Sequence, residues 1–165
     1  EPEDLMMLAD SDGKPALFVM LDGIQDPHNL GAIARTADAA GAHGLIIPER
    51  RAVGITAGAV RASAGALEHV KVSRVGNLNR TIERLKEIGT MVIGLDAEGD
   101  VEYTEADYTG PTVIVIGSEG KGISRLVREN CDQIVSIPMA GKLSSLNASV
   151  SAGLVLYEAY RQRRA

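Results

Sequence analysis

The side chains of Asn29, Arg35, Glu119, Ser145 and Asn147 are the ones whose types and spacing suit chemistry. They fall in or just after three polar, glycine-containing stretches, DGIQDPHNLG, GSEGKGIS and PMAGKLSSLN. An amide, a guanidinium, a carboxylate and a hydroxyl, beside backbone N–H groups left open by glycines, can hold a polar small molecule next to a phosphate-bearing substrate. Each residue also has a plainer role open to it. Asn29 can cap a helix, Glu119 can cap the short helix after it, and Arg35 can be a solvated helix residue. Ser144, Ser145 and Asn147 all sit where the last helix begins, so one serves as N-cap and the others are spare polar groups beside free N–H groups.

Spacing removes several common chemistries. GSEGKGIS is not a phosphate P-loop, because Gly120 and Lys121 are followed by Gly122, and Val115 stands where the first glycine belongs. Nor is it a dinucleotide fingerprint, since Arg125 takes the third glycine position after Gly120 and Gly122. The commonest methyltransferase fold places a glycine-rich turn after its first strand, and here that turn is DGIQDPHN. No Ser sits in a Gly-x-Ser-x-Gly elbow and Cys131 has no nearby His, which disfavours a hydrolase. His28, His43 and His69 show no metal-ligand spacing with Cys131, so no metal is expected.

Strands and helices must hold these loops in place. Residues 16–21 (ALFVML) form an apolar run of strand length that ends at Asp22 and Gly23. Leu30, Ile33, Ala34, Ala37 and Ala40 recur at helical spacing, with Asn29 as expected N-cap and Gly41 as stop. Further strands are expected at 43–47, around Val70 and Val72, at 91–95, at 112–116 as the buried central strand, and at 134–137. Helices are expected at 58–64, 77–89 and 123–130, and a long one follows Asn147 and ends in Arg161, Arg163 and Arg164. Its Ala148, Ser151, Ala152 and Ala159 form a narrow stripe of small residues that lets another backbone come close. Residues 96–108 read as a turn-rich, acidic connection. The alternation predicts an α/β fold, a mostly parallel sheet with helices on both faces, whose ligands sit outside the carboxyl ends of the strands.

Composition narrows the class. At 165 residues and 45% hydrophobic content the chain fits one domain, and with no Trp and one Phe its core falls to Val, Ile, Leu, Met and Ala. The lone Cys131 excludes an internal disulfide framework and fits a reducing cytoplasm. No apolar run reaches bilayer-crossing length and no signal-peptide pattern opens the chain, so a cytoplasmic location away from membranes is expected. A net charge of -5 counts against a simple polyanion-binding surface, although Arg50, Arg51, Arg61 and the closing arginines leave local basic patches. The polar opening, residues 1–15, reads as a linker from a preceding part of a longer protein to a domain at 16–165.

Taken together, LDGIQDPHNLGAIARTADAAG, VIVIGSEGKGISRLVRENCD and VSIPMAGKLSSLNASVSAGLVLYEA resemble, in order and spacing, the three signature motifs of the SpoU/TrmH family. These are SPOUT-class RNA ribose 2′-O-methyltransferases, and the similarity runs from about Leu17 to Arg164, nearest to the RlmB-like branch that acts on guanosine in 23S ribosomal RNA. The resemblance implies S-adenosylmethionine as cofactor, no metal, a C-terminal deep trefoil knot, a homodimer, and a missing N-terminal RNA-binding domain upstream of the linker. It places Asn29, Arg35, Glu119, Ser145 and Asn147 at the catalytic positions, and Ile116, Gly117, Gly120, Ile137, Met139, Gly141 and Leu146 at or near the cofactor. In the family the residue at Arg35 is proposed as base; a guanidinium stays protonated below a pKa of about 12, so holding a phosphate and stabilising developing negative charge suits it better. Competing readings are a transfer RNA methyltransferase, an antibiotic-resistance ribosomal RNA methyltransferase, and a non-catalytic knotted module that binds RNA or assists ribosome assembly.

Overall fold

The computed structural model describes residues 2–49 and 61–165. Its strands are β1 (Leu17–Asp22), β2 (Gly44–Pro48), β3 (Lys71–Val75), β4 (Met91–Leu95), β5 (Val101–Glu102), β6 (Thr112–Gly117) and β7 (Gln133–Ser136). They form one sheet in the order β3-β2-β1-β6-β4-β7-β5, and every paired strand runs parallel to its neighbour. The apolar run at 112–116 is the middle strand, as its buried composition predicts.

The helices are α1 (Pro2–Asp12), α2 (Pro27–Ala39), α3 (Leu78–Glu87), α4 (Arg125–Asn130) and α5 (Ala148–Arg164). Because strand side chains alternate, Leu17, Val19, Leu21, Ile114 and Ile116 face one way, into a cluster with Ile33, Ala37, Ala152 and Leu156 of α2 and α5. Phe18, Met20, Val113 and Val115 face the other way, against Leu5, Ile82 and Val127 of α1, α3 and α4. The small stripe on α5 has α2 as its neighbour: Ala152 and Ala159 are fully buried, and a Cβ on Gly153 would lie 3.5 Å from Thr36 Cγ2.

Local chemistry sets most element ends, with one correction. Asp26, not Asn29, caps α2: its carboxylate accepts from the His28 N–H at 2.9 Å, and Pro27 takes the first turn, where a missing N–H costs nothing. Asn29 therefore lies inside the helix. Asn77 caps α3 as a side-chain acceptor, and Gly41 and Gly89 stop their helices at φ of 83° and 90°. The polar opening is helical over Pro2–Asp12 and buries Leu5 and Ala9. The 96–108 connection holds β5 and a 3₁₀ turn, Tyr103–Glu105. Of the helix expected at 58–64, residues 58–60 lie outside the described residues and 61–63 are helical.

One feature of the strand order bears on the threaded C-terminus that the resemblance implies. β7 enters between β4 and β5, which are consecutive in sequence, and the chain then continues into α5 on the far face. The backbones touch there: the N–H groups of Asp96 and Asp100 donate to Val135 and Ile134 carbonyls at 3.0 and 3.1 Å. Gly99 lies against the backbone of Val135 and Ser136 with no room for a side chain. This crossing is consistent with the knot.

Candidate functional site

At the carboxyl ends of β4, β6 and β7 the sheet opens into a cleft of about 620 Å³. Its walls are three segments of chain. Residues 95–98 run on from the last residue of β4, residues 116–123 run on from the last two of β6, and Ile137, Met139 and residues 144–146 follow β7, with Ala148 and Ser151 of α5 beneath. The segment after β6 can fold this tightly only because of its glycines. Gly117 is in contact with the Gly122 backbone where a Cβ would stand, and Gly120 and Gly122 take φ of 80° and 67°. A backbone bridge pairs Ser118 with Gly122, and the Gly122 N–H donates to the Ser118 carbonyl at 2.8 Å.

The polar groups of the cleft converge on the start of α5. Asn147 is its N-cap, accepting from Ser149 N–H at 2.9 Å and Val150 N–H at 3.4 Å. Glu119 reaches across from the segment after β6, and its Oε1 accepts from the Ala148 N–H at 3.2 Å. A carboxylate at a helix N-terminus is favoured by the free N–H groups and the helix dipole together. Asn147 thus fills its plainer role as N-cap. Glu119, 28 positions away in sequence, does not cap the short helix that follows it, as expected, but the start of α5, because the segment after β6 folds back across the cleft. Ser144, Ser145 and Lys121 hydrogen-bond through their side chains to no described residue.

The structure gathers most of the predicted residues. Glu119, Ser145, Ile116, Gly117, Gly120, Ile137, Met139 and Leu146 line the cleft, and Asn147 adjoins it. Gly141, Asn29 and Arg35 do not line it. Arg35 is exposed on α2 and hydrogen-bonds to no described residue, and Asn29 is half-buried in the first turn of that helix. The first loop meets the cleft's margin through Asp22, whose Oδ2 accepts from the Ser124 N–H and hydroxyl at 2.7 and 2.8 Å and so fixes the start of α4.

Sequence reasoning missed residues 95–98 together with Arg125 and Arg128. The signal was available, since Asp96 directly follows a parallel strand at the same edge as the other loops. Arg128 donates to the Glu98 carbonyl at 3.1 Å and pairs with Asp96 at 3.1 Å. Cys131 has no reactive role: burial pushes its thiol up to about 12, and the Sγ donates to the Val127 carbonyl at 3.3 Å. Among the described residues no group of three His, Cys, Asp or Glu side chains is arranged to hold a metal ion, and no helix is long and apolar enough to cross a membrane.

A parallel α/β sheet with a semi-apolar cleft at its carboxyl edge, walled in part by glycine backbone, defines a protein that binds a small polar ligand. The chain belongs to the SpoU rRNA methylase family, whose model matches residues 16–157. A tRNA/rRNA methyltransferase of Mycobacterium sp. (strain KMS), itself described as uncharacterized, is 59% identical over 163 residues, covering 99% of this chain and 52% of that protein. The chain thus spans about half the length of that relative. In structure it is similar to the SpoU methyltransferase AviRb from Streptomyces viridochromogenes in complex with AdoMet, with TM-score 0.84 and 40% identity over 92% of this chain and 62% of that one. It is also similar to the A. aeolicus TrmH/SpoU tRNA modifying enzyme, with TM-score 0.85 and 34% identity over 98% of this chain and 83% of that one.

Proposed function

We propose that the cleft binds S-adenosylmethionine and that the protein transfers a methyl group to a ribose 2′-hydroxyl of RNA, the target being a guanosine in 23S ribosomal RNA. The observation that carries this reading is the cleft itself. Ile116, Ile137, Met139 and Leu146 offer apolar surface to bracket a flat base, beside the backbone groups of Gly117 and Gly120 that can read its edge. Its volume of about 620 Å³ lies within the roughly 300–1,000 Å³ usual for small-molecule sites.

When bound, the cofactor would supply a methyl group on a sulfonium sulfur that departs as a neutral thioether, while the ribose oxygen gains the methyl and gives up its proton to solvent water. The chain's own groups serve that exchange. Glu119 and Asn147 lock the start of α5, so that Ser145 and Leu146 are presented at the cleft. Ser145, with no described partner, is free to donate to or accept from a substrate hydroxyl. Arg35, exposed on α2 outside this chain's cleft, serves in this reading to hold a substrate phosphate in its planar fork. Val150, Leu154, Tyr157 and Tyr160 are exposed along α5, which supports a homodimer in which a second copy covers this face.

Calorimetric titration of the protein with S-adenosylmethionine and S-adenosylhomocysteine, on wild type and Leu146→Asp, tests the cleft. Saturable binding that the variant loses is the expected result; no binding by wild type at millimolar ligand sinks the reading. A second target, transfer RNA, is favoured by likeness to the A. aeolicus enzyme named for it. Mass spectrometry of nucleosides from 23S and transfer RNA, each incubated with the full-length protein and cofactor, separates the two. Light scattering of wild type against Leu154→Arg reads the oligomeric state.

A further inference from the structure

We propose that Arg128 is a positioning residue for the cleft, a two-point clasp that holds the segment after β4 in place as the wall against which the cofactor packs. The proposal rests on the cofactor reading above. Arg128 sits in the last turn of α4, and neither of its acceptors belongs to that helix: Nη1 lies 3.1 Å from Asp96 Oδ1, and Nη2 donates to the Glu98 carbonyl at 3.1 Å. All three residues line the cleft.

Exposed ion pairs contribute little, and a pair on a solvated helix face would carry no weight here. This one differs in what surrounds it. The Asp96 side chain is only 15% exposed. Its Oδ1 also accepts from the Glu98 N–H at 3.1 Å, its backbone N–H donates to Val135 at 3.0 Å, and its carbonyl accepts from Gly99 at 3.2 Å. Its Oδ2 packs against Gly122, where a Cβ would come within 2.6 Å. Asp96 thereby joins the segments after β4 and β6 to β7 itself, and Arg128 ties this junction to α4.

The fork geometry matters. A guanidinium presents separate N–H groups in one plane to the carboxylate and the carbonyl, whereas a lysine ammonium is a single point of charge. Without the clasp, the hydrogen bonds that residues 97–99 keep among the described residues are local turn bonds, and the ligand must order the segment as it binds. That ordering lowers affinity without touching the reacting atoms.

The test is calorimetric titration with S-adenosylhomocysteine, with hydrogen exchange at the Glu98 and Gly99 amides, on wild type, Arg128→Gln, Arg128→Lys and Asp96→Asn. Arg128→Gln is expected to bind about ten-fold more weakly, the worth of one charge-assisted hydrogen bond, with faster exchange at both amides. Arg128→Lys should recover little of either. Asp96→Asn, which keeps the shape, should weaken binding in the same sense, and the double variant Arg128→Gln/Asp96→Asn should be no worse than the poorer single one. Wild-type affinity and exchange in Arg128→Gln overturn the clasp while leaving the cofactor reading intact. A loss of melting temperature without change in affinity reduces Arg128 to a structural residue and also overturns it. Absence of binding by wild type itself overturns the cofactor reading, and the clasp's role with it.

Discussion

The two edges of the sheet treat their polar groups in opposite ways. At the amino edge, long side chains are consumed by backbone. Arg163 donates to the carbonyls of Tyr108, Pro15, Ala16 and Gly110 at 2.6–2.9 Å, stitching the end of α5 to the entries of β1 and β6. The Leu17 N–H donates to His43 Nδ1 at 3.1 Å, which leaves the ring proton on Nε2, 2.7 Å from Asp12. Gln162 serves Tyr108 and Ala106 in the same manner, and Asp132 accepts from Val92 at 2.7 Å. Thr90 Oγ1 is the exception there, buried without a partner among the described residues. At the carboxyl edge, side chains tie loop to loop, as in Asp22 to Ser124 and Glu119 to Ala148, while Ser145 and Lys121 stay uncommitted. One edge holds the fold and the other keeps groups for a ligand.

That contrast can be broken by mutation. The largest effect on stability is expected from Arg163→Ala, which takes the side-chain donor from the Tyr108 and Pro15 carbonyls and leaves those of Ala16 and Gly110 with Thr112 alone, at a half-buried site. Urea unfolding should show a loss of about 3 kcal/mol or more, with S-adenosylhomocysteine affinity unchanged. A parallel loss of affinity would mean that the edges are not separate. Gly117→Ala should act the other way. Its Cβ would meet the Gly122 backbone, at a cost of about 2 kcal/mol that should appear chiefly as weakened ligand binding by calorimetry.

Smaller effects sharpen the comparison. Asn147→Ala removes an N-cap and should cost about 1 kcal/mol in urea unfolding. A fall in methyl transfer beyond that cost would give Asn147 a role toward substrate as well. Glu158 on α5 is held below the usual carboxylate range chiefly by hydrogen bonds from Arg161, with burial opposing and Gln162 assisting. Its folded pKa is depressed, so its stabilisation is present above the unfolded value of about 4.3 and is lost as pH falls through the folded one. Acid titration of Glu158→Gln should therefore show a shallower loss of stability below that pH than wild type. Last, Cys131 should resist iodoacetamide at pH 8 in the folded protein, by mass spectrometry, because its thiol is pushed up to about 12. Alkylation at the rate of an exposed cysteine would mean that α4 opens readily.

Much of this was legible in one dimension. Alternation and apolar runs announce the strands because a parallel strand is buried on both faces, and the 112–116 run becomes the central strand for that reason. Asn77, Gly41 and Gly89 mark helix ends through chemistry confined to one turn. Asn29 misled because two good caps, Asp26 and Asn29, lie three residues apart, and Pro27 decides between them by fitting only the first turn. The short strand β5 carries no readable pattern, since Val101–Glu102 is too brief for a period and is a strand only because β7 lies beside it.

What the sequence determined by itself is the list of groups available for chemistry and the local structures that begin and end around them. Glu119 and Ser145 declare themselves by type and by their place in glycine-containing loops, and Gly117, Gly120 and Leu146 through the family motifs they belong to. Only the tertiary structure decided which loops share the cleft. It brought the segment after β4 into the wall, left Arg35 and Asn29 on α2 outside it, and joined Glu119 to Ala148 across 29 residues. The physical reason is strand order: β6 sits between β1 and β4, and β7 beside β4, so the cleft forms among strands that are neighbours in space and not in sequence.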